Sequence, residues 1–197
     1  TFNDPNNDNL PIKIKGSKIP LPIEYVTPVA SAQIKSSILL TALSSTGDTT
    51  VIEPSLSRDH TERMLNYLGA KVSTKKLSNS SWKITLKGLP TLKPNNIQVP
   101  SDPSSAAFPV VASLITPDSN IKVLNVCINE LRTGLYKSLI EMGGNIKFTN
   151  KRKINGEEIA DISASYSILN GIKIPKSRVA SMIDEYPILS IAAIKAK

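Results

Sequence analysis

Apolar residues in this chain fall into short blocks divided by turn signals, and the blocks recur. A small-residue start at Ser31 leads into an apolar run that predicts a helix from Ala32 to Leu43. Gly47-Asp48 marks a turn, and the β-branched run Thr49 to Ile52 predicts a strand. A second helix is predicted from Thr61 to Leu68, and Gly69 follows where a helix C-terminus favours a left-handed residue. Lys71 to Thr74 then reads as a strand, with Trp82 to Leu86 as its pairing partner. The lysine-rich stretch from Lys71 to Lys76 reads as a solvated strand end.

The same order returns 74 residues later, with Ser31 matched by Ser105, Arg58 by Arg132 and Gly69 by Gly143. Asp102-Pro103-Ser104-Ser105 reads as a helix entrance, Pro117-Asp118 as a turn, Ile121 to Val126 as a strand, Thr133 to Met142 as a helix and Asn145 to Phe148 as a strand. Self-similarity at a fixed period is the sequence sign of a structural repeat. A third unit begins at Tyr186-Pro187-Ile188-Leu189, which resembles Phe108-Pro109-Val110-Val111 at an offset of 78, so a short insertion is expected, supplied by the polar run Asn155 to Ala160. The strand and second helix of that unit are expected to be missing. With the polar start Thr1 to Leu10, this leads us to expect a chain incomplete at both ends. The fold class is α/β (α+β), built from repeats.

Length and composition narrow the function. The 197 residues are enough for one large domain or two small ones, and 40% hydrophobic content supports a buried core. No apolar run approaches a membrane span. The single cysteine, Cys127, fits a reducing cytoplasm and reads as a packed strand residue. No Cys/His cluster has metal-ligand spacing, so neither a metal nor a cofactor is expected. The net charge of +8 is scattered and aromatics are only 5%, which suits small acidic ligands better than nucleic acid.

Three places could carry chemistry. Ser31-Ala32-Gln33 offers a hydroxyl, helix N–H groups and a carboxamide for a phosphate or sugar-like hydroxyls, or simply an N-cap. Arg58 stands just outside the helix start Asp59-His60-Thr61-Glu62, where Asp59 and Glu62 read as a capping box; its fork suits phosphate or carboxylate, or a plain salt bridge with an acid. Ile183-Asp184-Glu185-Tyr186-Pro187 could present a carboxylate as a base, or merely cap a helix. His60 is expected in the first helical turn, exposed or hydrogen-bonded, and Arg132 and Thr133 are expected to support the second repeat.

Taken in order, these segments resemble one family. Val29 to Ser36, Glu53-Pro54 with Ser57 to Leu65, Val99 to Phe108, Asn129 with Arg132 to Leu135, and Ile183 to Pro187 are similar to 3-phosphoshikimate 1-carboxyvinyltransferase (EPSP synthase), over nearly the whole chain from about Ile12. The resemblance implies two domains of βαβαββ units with the active site between them: 1–98 the later part of one domain, 99–104 a crossover, and 105–197 part of the second, truncated in its last repeat. It implies enolpyruvyl transfer from phosphoenolpyruvate to the 5-hydroxyl of shikimate 3-phosphate, with no metal. Ser31, Ala32 and Arg58 would hold shikimate 3-phosphate, Gln33 would lie against its ring and reach phosphoenolpyruvate, and Asp184 would contact the ring hydroxyls and accept the proton. A cytoplasmic, usually monomeric enzyme with no nucleic-acid or membrane partner is implied. The family's remaining phosphoenolpyruvate-binding groups have no match in this sequence, so the chain alone is expected to have negligible activity. The alternatives are a UDP-N-acetylglucosamine enolpyruvyl transferase relative, which the Arg58-to-Glu62 run disfavours, and a non-catalytic sugar-phosphate-binding remnant.

Overall fold

The repeat is visible in the backbone as two sheets of one design. A computed structural model describes residues 15–197, and the polar start Thr1 to Leu10 lies outside them. The first unit runs β1 (Glu24–Val26), α1 (Ala32–Ala42), β2 (Thr49–Glu53), α2 (His60–Tyr67), β3 (Val72–Lys76) and β4 (Trp82–Leu86). Its sheet has the order β1-β2-β4-β3, with β1 parallel to β2 and the other pairs antiparallel. The second unit runs α3 (Pro103–Ile115), β5 (Asn120–Cys127), α4 (Gly134–Glu141), β6 (Asn145–Ile154) and β7 (Glu157–Ser165), with sheet order β5-β7-β6. The counterpart of β1 has shrunk to a single parallel bridge between Ser101 and Val126. Each unit is therefore βαβαββ in order. A third begins with α5 (Tyr186–Ile194).

The two second helices end in the same way for the same reason. Gly69 and Gly143 both sit at φ +95°, a region that costs a side chain energy. That turn lets Ala70 N–H reach Leu65 O at 2.9 Å and Gly144 N–H reach Leu139 O at 2.8 Å, closing the helix as a Schellman-type cap. Leu65 and Leu139 are buried, so the cap also aims each helix at its sheet. Two apolar clusters result. One holds Leu39, Val51, Leu65, Ile84 and Leu86; the other holds Val110, Leu114, Leu135, Tyr136, Leu139 and Ile162.

One expectation needs correction. The strand predicted to stop at Phe148 continues to Ile154, and the polar run Asn155 to Ala160 is not a loose insertion. Asn155 and Gly156 have φ of +52° and +86°, the left-handed pair that a two-residue hairpin turn requires. Glu157 onward is β7, the central strand of its sheet, and Ile159 to Ile162 are all buried. The longer offset to the third unit is thus a longer hairpin.

Candidate active site

Ser31 has extended backbone (φ −138°, ψ 113°), and its Oγ accepts from Ile34 N–H at 3.4 Å, so it is the N-cap of α1. The same hydroxyl donates to Gln33 Oε1, also at 3.4 Å. Both bonds are long, so the hydroxyl is held loosely. Ala32 opens the helix, and Gln33 is exposed beside it.

Arg58 precedes α2, and its Nη2 donates to Asp184 Oδ2 at 2.5 Å across 126 residues of sequence. The salt bridge offered above as the plain reading of Arg58 is therefore formed, and its acid is the candidate base itself. The two side chains are 21% and 48% exposed, so a solute can reach both. Asp184 lies in a short 3-10 turn, Ile183–Glu185, that leads into α5. Helix α5 is N-capped at Glu185, not at Asp184, and the Glu185 side chain makes no cap bond. Instead Glu185 is buried and accepts from Ser104 Oγ at the start of α3. Arg132 Nη2 donates to Ser104 Oγ at 2.7 Å and to Asp102 Oδ1 at 2.8 Å, the supporting role expected of it. Burial raises the Asp102 carboxyl, but hydrogen bonds from Ser105 and the Arg132 charge outweigh it and hold it below the ordinary range.

No hydrogen bond joins Ser31 or Gln33 to Arg58. What ties them is Lys35, one turn into α1 and wholly buried. Its Nζ donates to Glu53 Oε1 at 3.0 Å and to Ser57 O at 3.3 Å. Glu53 in turn accepts from Ser57 N–H at 3.0 Å and Ser57 Oγ at 2.7 Å, which fixes the residue next to Arg58. Lys35 Nζ also lies 2.7 Å from Glu62 Oε1, so Glu62 is the second carboxylate of a buried ion-pair triad. Burial pushes the Glu62 carboxyl above the ordinary range, and Lys35 only partly offsets it. This corrects the expected capping box. Glu62 turns inward to Lys35, and Asp59 occupies the N-cap position without a cap bond. The Asp59 oxygens are taken by Arg63 Nε at 2.8 Å and Asn129 Nδ2 at 2.6 Å.

The buried grouping of Lys35 with Glu53 and Glu62 was not foreseen, although a lysine inside an apolar helix run and a glutamate ending a β-branched strand were signals of a buried pair. The seam between the units escaped it too. There His60 Nδ1 meets Glu157 Oε1 at 2.7 Å, and Arg63 Nη1 donates to Gly156 O at 3.1 Å. His60 is thus the hydrogen-bonded residue of the first helical turn that was expected.

Paired βαβαββ units are a fold this chain shares with a solved enolpyruvyl transferase. The enolpyruvyl transferase NikO from Streptomyces tendae superposes at TM-score 0.57 and 18% identity, over 81% of this chain and 36% of that one, a likeness of fold alone. The particular family is given by sequence: residues 4–197 match EPSP synthase (3-phosphoshikimate 1-carboxyvinyltransferase), and the chain belongs to that family. The 3-phosphoshikimate 1-carboxyvinyltransferase of Paracoccus denitrificans (strain Pd 1222) is 52% identical over 188 residues, 95% of this chain and 42% of that protein. The solved EPSP synthase from Acinetobacter baumannii matches at TM-score 0.84 and 45% identity, over 95% of this chain and 42% of that one. The chain spans less than half the length of these relatives. Their names do not favour the UDP-N-acetylglucosamine alternative.

Proposed function

We propose that the chain is a central portion of an enzyme transferring the enolpyruvyl group of phosphoenolpyruvate to the 5-hydroxyl of shikimate 3-phosphate, with release of phosphate. In this reading residues 1–98 belong to one domain, 99–104 cross over, and 105–197 belong to the next. The observation that carries it is the Arg58–Asp184 pair, which sets an anion-binding fork against a carboxylate at an accessible place between the units. The substrate's phosphate, with up to two charges, takes the guanidinium fork from Asp184. The Ser31 hydroxyl and the first backbone N–H groups of α1, beginning with that of Ala32, complete its cradle. Asp184, released from Arg58, accepts the proton of the attacking hydroxyl. Gln33 lies against the ring and reaches phosphoenolpyruvate. The net charge of +8 favours two anionic substrates. The setting is the cytoplasm, and the enzyme is monomeric.

The test is a coupled phosphate-release assay on the product of the complete reading frame. Arg58→Ala should raise KM for shikimate 3-phosphate by at least about tenfold, the worth of one charge-assisted contact. Asp184→Asn should lower kcat by roughly 10²–10⁴ while leaving that KM near its starting value. Full turnover in Asp184→Asn would remove the base, and an unchanged KM in Arg58→Ala would remove the anchor. The 197-residue chain alone should show no turnover, and calorimetry with shikimate 3-phosphate would show whether its half of the cradle binds by itself.

A further inference from the structure

The seam between the units holds a second group of side chains that the proposed reaction does not use. His60 opens α2, Cys127 closes β5 and Glu157 opens β7. One donor atom from each lies within 4.8 Å of the other two. His60 Nδ1 is 2.7 Å from Glu157 Oε1, and Cys127 Sγ is 3.9 Å from Glu157 Oε2. We propose that His60, Cys127 and Glu157 form a site for a borderline divalent transition metal of the zinc type, bridging the first and second units.

Four observations support it. The first is the donor set: an imidazole, a thiol and a carboxylate are the ligands zinc takes, and an alkaline-earth ion would prefer oxygen alone. The second is the spacing. Tetrahedral bonds of about 2.0–2.3 Å place neighbouring donors roughly 3.3–3.7 Å apart. The two contacts, to different oxygens of the Glu157 carboxylate, measure 2.7 and 3.9 Å, and all three donors fall within 4.8 Å, so an ion is seated by side-chain shifts on the order of 1 Å. The third is an unused valence: the second ring nitrogen of His60, Nε2, is buried with no partner, so the imidazole can present either nitrogen once its present hydrogen bond is given up. The fourth is access. A cavity of about 330 Å³, lined by His60, Met64, Tyr67, Val99, Cys127 and Glu157 among others, leaves room for a water as fourth ligand and a path inward.

Local charge does not forbid a cation. Arg63 lies 3.9 Å from Glu157 Oε2, but it is already held by Asp59, as Arg132 is by Asp102. Asp59, Asp102 and Glu157 against these two arginines leave one net negative charge, and the thiol proton lost to solvent on binding makes it two. A divalent ion neutralises that cluster. Sequence spacing concealed the site, because its ligands lie 67 and 30 residues apart and come from both units. Bound there, the ion would clamp α2 to the second sheet only two residues from Arg58.

The test uses chelator-treated protein titrated with Co²⁺ and then Zn²⁺, followed by absorption and calorimetry. The expected result is one ion per chain, with a near-ultraviolet thiolate-to-cobalt charge-transfer band that Zn²⁺ displaces. Cys127→Ser should abolish the band, and His60→Gln should weaken Co²⁺ binding by at least about tenfold. A cobalt complex of the unsubstituted protein lacking the thiolate band overturns the proposal whatever the variants do. So does binding that His60→Gln leaves unchanged. The site is independent of the reaction proposed above, so its failure leaves that reading untouched.

Discussion

The two repeats place different chemistry at equivalent positions. Helices α2 and α4 coincide at the 74-residue offset, and so do the caps at Gly69 and Gly143. Yet where the first unit buries Lys35, Glu53 and Glu62, the second has Pro109, Cys127 and Tyr136. Tyr136 fills its core and donates its hydroxyl to Pro103 O at 2.7 Å, tying α4 to the start of α3. Burial pushes that phenol well above its ordinary value, so it stays a donor. Both devices join a second helix to a first helix. The neutral one needs a single hydrogen bond, whereas the charged one needs two carboxylates and an ammonium removed from water. Repeating the topology therefore does not require the triad. What it adds is a grip on Ser57, and hence on the backbone that presents Arg58.

The largest effect should come from breaking that triad. Lys35→Met strands Glu53 and Glu62 in the core and should destabilise the protein by about 3–5 kcal/mol in urea unfolding, the usual cost of orphaning a buried charge. The triple variant Lys35→Met, Glu53→Gln, Glu62→Leu keeps an acceptor for Ser57 and leaves no stranded charge. It should recover at least about 2 kcal/mol of that loss, since apolar replacements of buried ion pairs are often neutral or better. If Lys35→Met costs less than about 1 kcal/mol, the contrast between the units is cosmetic.

The contrast also shows what could be read in advance. Local features were legible: the helix from Ala32, the pairing of Trp82–Leu86, both glycine caps and the Asp102 helix entrance depend on residues close in sequence. The hairpin at Asn155-Gly156 was locally encoded as well, but the polar run from Asn155 to Ala160 read as a short insertion. Glu62 was misread because its spacing from Asp59 fits a capping box, while the buried ammonium of Lys35 competes for it from another helix. At the candidate site, Ser31, Arg58 and Asp184 were each picked out with two readings. Only the fold could show that Asp184 is the acid Arg58 pairs with.

A smaller effect tests the sameness of the repeats. Gly69→Ala and Gly143→Ala each force a side chain to φ near +95°, with the nearest atoms to the added carbon at 3.5 Å and 3.4 Å, an ordinary contact. The cost is then conformational alone, about 1–2 kcal/mol in each case. Thermal melts of the two variants should agree. A difference between them larger than about 1 kcal/mol would show that the caps carry unequal packing loads.

The smallest effect separates Glu62 from its neighbours through pH. Burial raises its folded-state pKa above the ordinary carboxyl value of 4.5, so the folded chain holds this proton more tightly than the unfolded chain. Between the ordinary and the raised value the native state binds more protons, and stability falls as pH climbs. The loss accumulates at about 1.4 kcal/mol for each pH unit of displacement and is complete above the raised value. Glu62→Gln cannot ionise, so its stability curve should lack this descending limb. It should match the parent near pH 4 and exceed it slightly at pH 7. If the variant is instead less stable at pH 7, the ion pair with Lys35 outweighs desolvation, and the triad is a net stabiliser in a way that Pro109, Cys127 and Tyr136 are not.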